Sequence, residues 1–294
     1  MQIIQNRKIF LSISIILMFG SLISLFVWGL NFGIDFTGGT LMELEFINER
    51  PSNQMIQDKL AIFELGQIVI QPVEQKGMIL KTKDIDETVH QNILDEIGKD
   101  NIIEKRFESV GPVIGSELKR KSIWAIIFSL IAIVIFVAWA FRKVSKPVPS
   151  WQYGIAAIIA LSHDILITCG LFAILGHWKG IEIGLPFIAA LLTILGYSVN
   201  DTIVIFDRAR DNLLRGSWDN FEDIVNLSVN QSIIRCLNTS TTTMFVLLAV
   251  FLLGGANIKY FALALMSGVV LGTYSSLFIA SPLIVIWNNK KSKS

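Results

Sequence analysis

Six stretches of this chain are apolar over the length a helix needs to cross a bilayer, and nothing else in the sequence limits the fold as much. A span takes about 20 mostly apolar residues to cover a hydrocarbon layer of ~30 Å. Residues 9–30, 123–141, 151–175, 183–206, 236–253 and 260–287 each meet that requirement. Composition agrees: with 52% hydrophobic and 17% charged residues in 294, the chain reads as an α-helical polytopic membrane protein and not as a soluble globular one. The first stretch has too long an apolar part for a signal peptide, and no small-residue cleavage site precedes the polar segment after it. It is expected to remain as an anchor.

Short basic segments set the expected orientation. Arg7 and Lys8, then Arg142, Lys143 and Lys146, then Arg208, Arg210 and Arg215, then Lys290, Lys291 and Lys293 fall on one side, against Lys179 and Lys259 in the opposite short loops. Both termini are therefore expected in the cytoplasm, the C-terminal one as a basic tail. The long polar interval belongs outside, because long domains translocate regardless of their own charge. The expected division is 1–30 for the N-terminus and first span, 31–121 for an extracytoplasmic domain, and 122–294 for the remaining five spans.

The outer interval has its own order. TLMELEF alternates like a half-buried strand, SNQMIQDKLAIFEL repeats at helical spacing behind a Ser52 cap, and GQIVIQPV returns to strand character. GMILKT, DETVHQNILDEIG and NIIEKRFESV then repeat strand, capped helix, strand. The order βαββαβ predicts a ferredoxin-like α+β domain with both helices on one face of an antiparallel sheet. Between the fourth and fifth spans, 207–235 is expected to be a cytoplasmic connector, with Phe221, Ile224, Val225, Leu227 and Val229 on an amphipathic helix lying at the membrane surface.

Several chemistries are not visible. A net charge of +1 argues against a nucleic-acid partner. Cys169 and Cys236 form neither a disulfide framework nor a CxxC, so no metal site is expected. There is no GxxxxGK[ST] phosphate loop, no HExxH and no GxSxG elbow, so the chain reads as neither a nucleotide user nor an enzyme, with no cofactor.

Polar groups at membrane depth carry the functional signal, since each costs ~2.5–3.5 kcal/mol on insertion scales and usually faces a bundle interior or a water path. Asp164 sits midway along the third span; the adjacent His163 is expected to point to a different side, as a hydrogen-bonded buried imidazole. Asp201 lies about one and a half turns before the end of the fourth span, where it either caps near the headgroups or faces inward. For the inward reading, Tyr197, Asn200 and Asp201 cluster on one helix, and Arg235, Asn238, Thr239 and Thr242 follow at i, i+3, i+4, i+7 on the next. Two polar stripes are thus expected to face each other. A carboxylate beside a guanidinium stays ionised; a rearrangement that separates them lets it take a proton, with Arg235 as counter-charge and switch. Without a phosphate cradle, the available energy source is an ion gradient, worth ~2.3 kcal/mol per charge for each 100 mV. Hard oxygen ligands around Asp201 leave sodium open beside protons. Gly268, Gly272, Ser275 and Ser276 on the sixth span, and Gly196 on the fourth, offer close-approach faces for ordinary helix packing, while Pro186 and Pro282 are expected only to begin or bend helices near span ends.

NFGIDFTGGT after the first span, VGPVIGSEL before the second, HD in the third, GYSVNDTIVIFDRARDN ending the fourth, RCLNTSTTT opening the fifth and GTYSSLFIASP in the sixth resemble the SecF family. The resemblance covers almost the whole chain. It implies half of a SecD–SecF unit of the resistance-nodulation-division superfamily, in the bacterial cytoplasmic (inner) membrane. Such a unit uses the proton-motive force, or sodium in some bacteria, to promote protein export and insertion after SecA-driven translocation. It implies SecD as partner, the SecYEG channel, YajC and YidC as neighbours, and an unfolded polypeptide as client. The family's functional aspartate falls on Asp201 and its arginine on Arg235. Asp35, Gly38 and Gly39 match the post-span motif, where a structural turn feeding the first strand is favoured over chemistry. Thr241 and Thr243 depart from a stretch that is often more apolar in the family, which leaves the ion species more open. An ion-driven small-molecule exporter of the same superfamily is the nearer rival, although an outer domain of about 80 residues leaves little room for a substrate porter. An intramembrane aspartyl protease built on Asp164 and Asp201 lacks the GxGD context.

Overall fold

The computed structural model describes residues 2–142, 148–215 and 220–291. Lys143, Lys146 and Lys293 of the orientation argument lie outside the described residues, as do the side chains of Lys290 and Lys291 and connector positions 216–219. The chain divides into two compact units, Phe32–Ile123 and a second formed by Met1–Asn31 with Trp124–Ser294.

The smaller unit begins with a one-turn helix, α2 (Ile34–Thr37), that follows the first span, α1 (Arg7–Val27). Next come β1 (Gly39–Phe46), α3 (Asn53–Leu60), β2 (Val69–Val73), β3 (Gly77–Thr82), α4 (Glu87–Ile97) and β4 (Ile102–Val110). The strands lie in the order β2-β3-β1-β4, antiparallel throughout, which is the ferredoxin-like arrangement expected. Alternation decides which face is buried: Met42, Leu44 and Phe46 of β1 and Met78 and Leu80 of β3 point to one side. There they meet Ile56 and Leu60 of α3 and Ile93, Leu94 and Ile97 of α4. Ser52 caps α3 by accepting from the Met55 N–H, and Asp86 caps α4 by accepting from the Val89 N–H at 2.8 Å. Gly98, at φ 112°, ends α4 in the left-handed region.

At Asp35, Gly38 and Gly39 the chain makes one helical turn containing Asp35 and leaves it through two glycines at φ 77° and 126° that lead into β1. A Cβ on Gly38 would stand 2.7 Å from the Pro112 Cα, and one on Gly39 2.7 Å from the Thr82 carbonyl oxygen. Backbone conformation and close approach both require glycine here.

The larger unit holds α1 and the apolar part of α5 (Pro112–Ala140), followed by α6 (Ser150–Lys179), α7 (Leu185–Arg215), α8 (Phe221–Leu253), α9 (Ala256–Ser275) and α10 (Ser281–Lys291). A π-turn, Ser276–Ala280, joins α9 to α10, so that among the described residues six helices are long and apolar enough to span a membrane. The π-turn stands just before Pro282, which lacks an N–H and would crowd a regular preceding turn. Ser281 Oγ donates to the Ser276 carbonyl at 2.9 Å, five residues back, and occupies part of the widened turn. Gly268 and Gly272 bring α9 against α7, where a Cβ would strike the Ile194 side chain and, at 2.7 Å, Ser198. Gly196 makes no such contact within the chain and is exposed.

The connector differs from expectation. Its amphipathic half is not a separate surface helix but the opening turns of α8, which runs unbroken through Arg235 into the fifth span. No Gly or Pro interrupts 221–253, and Phe221, Val225, Ser228, Val229, Ser232, Cys236 and Ser240 form one buried stripe along it. The N-terminus ties to the same helix: Asn226 Oδ1 accepts from the Ile3 and Ile4 N–H groups, and Arg7 pairs with Glu222 at 2.6 Å.

Candidate functional site

Two buried carboxylates lie at the centre of the larger unit. Asp164, on α6, has no exposed surface. Its Oδ2 accepts from Ser198 Oγ on α7 at 2.6 Å and from Ser275 Oγ on α9 at 2.8 Å, while Oδ1 lies 3.0 Å from His163 Nδ1. His163 therefore does not point away from Asp164 as expected. Neighbouring side chains on a helix diverge by about 100°, and both of these fall within the wide sector of α6 that the bundle encloses. His163 Nε2 is buried without a partner, and its ring stacks near Tyr274, with centroids 6.1 Å apart.

Asp201 lies on α7 one turn beyond Ser198, and only 4% of its surface is exposed. It faces inward and does not cap at the headgroups. Its Oδ2 accepts from Thr273 Oγ1 at 3.2 Å, and the Cys236 thiol also bonds its carboxylate. Thr273 is hydrogen-bonded in turn to Ser240, and Tyr197 OH reaches Ser240 at 3.4 Å and Thr243 at 3.3 Å. The α7–α9 seam beside both carboxylates is tied by Ser276, whose Oγ donates to the Ser198 carbonyl at 3.2 Å and meets Thr202 Oγ1 at 2.7 Å.

The expected pair of facing stripes is corrected by the rotation of α8. Arg235, Asn238, Thr239 and Thr242 are exposed, as is Asn200 on α7. Thr239 and Thr242 donate to the carbonyls of Arg235 and Asn238 at 2.9 and 3.0 Å, within their own helix. Among the described residues Arg235 forms no ion pair with Asp201, although its charge acts on that carboxylate. The face of α8 that meets α7 and α9 carries Ser232, Cys236 and Ser240. These, with Thr273, Ser198 and Ser275, are the partners that sequence reading missed. Their i, i+4, i+8 spacing was the available signal, but small hydroxyls also suit plain packing. Asp35, Gly38 and Gly39 lie in the other unit. Among the described residues no group of three or more His, Cys, Asp or Glu is placed to hold a metal ion.

A family model described as the C-terminal region of the protein export membrane proteins SecD/SecF matches residues 89–290, and a SecD/SecF GG motif matches residues 23–46. The protein translocase subunit SecF of Thermobaculum terrenum is 42% identical over 98% of this chain and 94% of its own length. That of Desulfurispirillum indicum is 38% identical over 96% and 90%. Among solved structures, SecDF of Thermus thermophilus, described as a translocon-associated membrane protein, is 32% identical with a TM-score of 0.82. The likeness covers 97% of this chain but 38% of that one, so this chain corresponds to well under half of the SecDF polypeptide. Six apolar spans, a ferredoxin-like unit after the first of them, the paired glycines and relatives of matching length lead to one assignment: this multipass membrane protein belongs to the SecF family of protein translocase subunits.

Proposed function

We propose that this chain works as one half of a pair with SecD, converting an ion gradient across the bacterial inner membrane into forward movement of exported polypeptides. Its role is transport and not catalysis, with both termini in the cytoplasm and the ferredoxin-like unit outside. One observation carries the reading: Asp201 is buried in the α7–α8–α9 seam, while Arg235, one residue from its thiol partner, is exposed.

A row of Arg235, Asn238, Thr239 and Thr242 left uncovered at membrane depth is costly against lipid, so it suits a polar surface on a neighbouring subunit. A carboxylate on SecD facing that row would draw Arg235 outward; released, Arg235 turns to Asp201 and makes cation loading unfavourable. Asp201 carries the cation, Arg235 switches it, and Asn200, Asn238 and Thr239 complete the interface. Asp164, buried in the same bundle, holds the inner end of the path. SecYEG, the SecA-dependent machinery, YajC and YidC are the neighbours this role requires.

Inverted vesicles containing this chain and SecD test the reading. Export after the ATP-driven phase should fall on adding a proton ionophore or a sodium ionophore, whichever ion is coupled, and should fall equally in Asp201→Asn without ionophore. Gradient-stimulated export by Asp201→Asn at wild-type level and equal abundance rules the relay out.

A further inference from the structure

The C-terminal end of α5, the second half of α7 and the stretch of α8 around Arg235 enclose a cavity of about 660 Å³, which shares only Arg235 with the ion relay. Arg208, Arg210 and Arg235 line it, with Asp207 and Asp211 as the opposing charges. The acids do not saturate the arginines. Asp207 reaches Arg210 only at 3.5 Å, and Asp211 is shared with Arg215 at 3.6 Å. Arg208 Nε donates to the neutral oxygen of Gln231 at 2.6 Å, and Arg210 Nε is buried without a partner. Donor capacity on planar guanidinium groups therefore exceeds the acceptors at hand, and a phosphate, which takes such donors in pairs, supplies what is missing.

The other wall is apolar. Phe141, Ile203 and Val204 line it. At the end of α5 the Arg142 guanidinium lies 4.6 Å from the centre of the exposed Trp139 ring, the kind of pair that marks the boundary between hydrocarbon and headgroups. We propose that this cavity binds the phosphate headgroup of an anionic phospholipid, with its acyl chains lying against the apolar wall. A free phosphate would use the same guanidinium groups but has no use for that wall, whereas basic pockets between spans suit acidic headgroups.

The test uses the full chain in nanodiscs of phosphatidylcholine with a minor share of phosphatidylglycerol, read by native mass spectrometry for lipid that survives extraction. Wild type should retain phosphatidylglycerol over phosphatidylcholine, and the double variant Arg208→Gln, Arg210→Gln should lose that retention by about tenfold or more. Asp207→Asn, which removes a competing carboxylate, should retain more than wild type, a gain that a misfolded chain cannot give. Equal retention in all three proteins, or no preference for the anionic lipid, overturns the site. In nanodiscs of phosphatidylcholine alone, inorganic phosphate should protect the arginines from a guanidine-directed reagent less well than phosphatidylglycerol does in mixed ones. Equal protection assigns the cavity to a soluble anion and overturns the lipid.

Discussion

Asp164 and Asp201 are carboxylates of one bundle, yet their surroundings have little in common. Asp164 is fully enclosed and is met by an imidazole and two hydroxyls that tie α6, α7 and α9 together. Asp201, one turn past Ser198, has a single hydroxyl at 3.2 Å and a thiol, and the guanidinium of Arg235 is exposed and forms no ion pair with it. A saturated carboxylate is held in place by what it bonds, and moving it breaks several bonds at once. A sparsely bonded one beside a movable charge can change partners at little cost. Burial alone does not separate the two; the number and kind of donors does.

The largest expected effect tests that distinction directly. Asp201→Asn should abolish gradient-stimulated export while leaving the thermal unfolding midpoint of the purified chain within a degree or two. Asp164→Ala should instead lower stability by about 3 kcal/mol, because it strands the buried Ser198 hydroxyl and an imidazole and leaves Ser275 only the Gly272 carbonyl, and this should appear as a lower midpoint and reduced abundance. An Asp164→Asn protein that keeps its midpoint but loses all export would reverse the two roles. Thr273→Val, close in shape, removes the hydroxyl donor to Asp201 and should slow gradient-driven export a few-fold, on the scale of one hydrogen bond of about 1 kcal/mol. No change in rate would leave Cys236 as the partner that matters.

The smallest effect comes from a half-exposed carboxylate in the smaller unit, which sets the lower end of the scale. Glu45 pairs with Lys105 at 2.7 Å, which holds the carboxyl below 4.5 and the ammonium above 10.5. A lowered acid pKa stabilises the fold above its unfolded value, a benefit lost as pH falls through the folded one. The raised Lys105 contributes below its own unfolded value and loses that as pH rises. The slight stability difference between wild type and Glu45→Gln should thus be present from about pH 5 to pH 10 and fade outside that window. A difference that is unchanged at pH 3 would show that the pair is not its source.

Much of this was legible from the residues, and the part that was not has a physical reason. Strand alternation in TLMELEF and the caps Ser52 and Asp86 fix the sheet of the smaller unit and its helices, because each is a local signal with one outcome. Asp201 stood out because a charge inside an apolar run needs an inward environment. The rotation of α8 was not legible. Both of its faces carry polar residues, Ser232, Cys236 and Ser240 on one and Arg235, Asn238 and Thr239 on the other, so periodicity gives two equal answers. Contact with α9 chooses between them. Likewise, His163 joins Asp164 because the bundle encloses a wide sector of α6, which sequence spacing does not report.

The π-turn at Ser276–Ala280 has an effect on the sixth helix as a whole. One surplus residue in a turn advances everything after it by about 100° around the axis, so the rod has two phases. Before the slip it offers Thr273 and Ser275 to the two acids; after it, Ile284 and Val285 sink into oily packing that an uninterrupted helix would have presented at a different angle. A single cylinder thereby keeps wet chemistry at one level and a greasy plug at the next, with no loop between them.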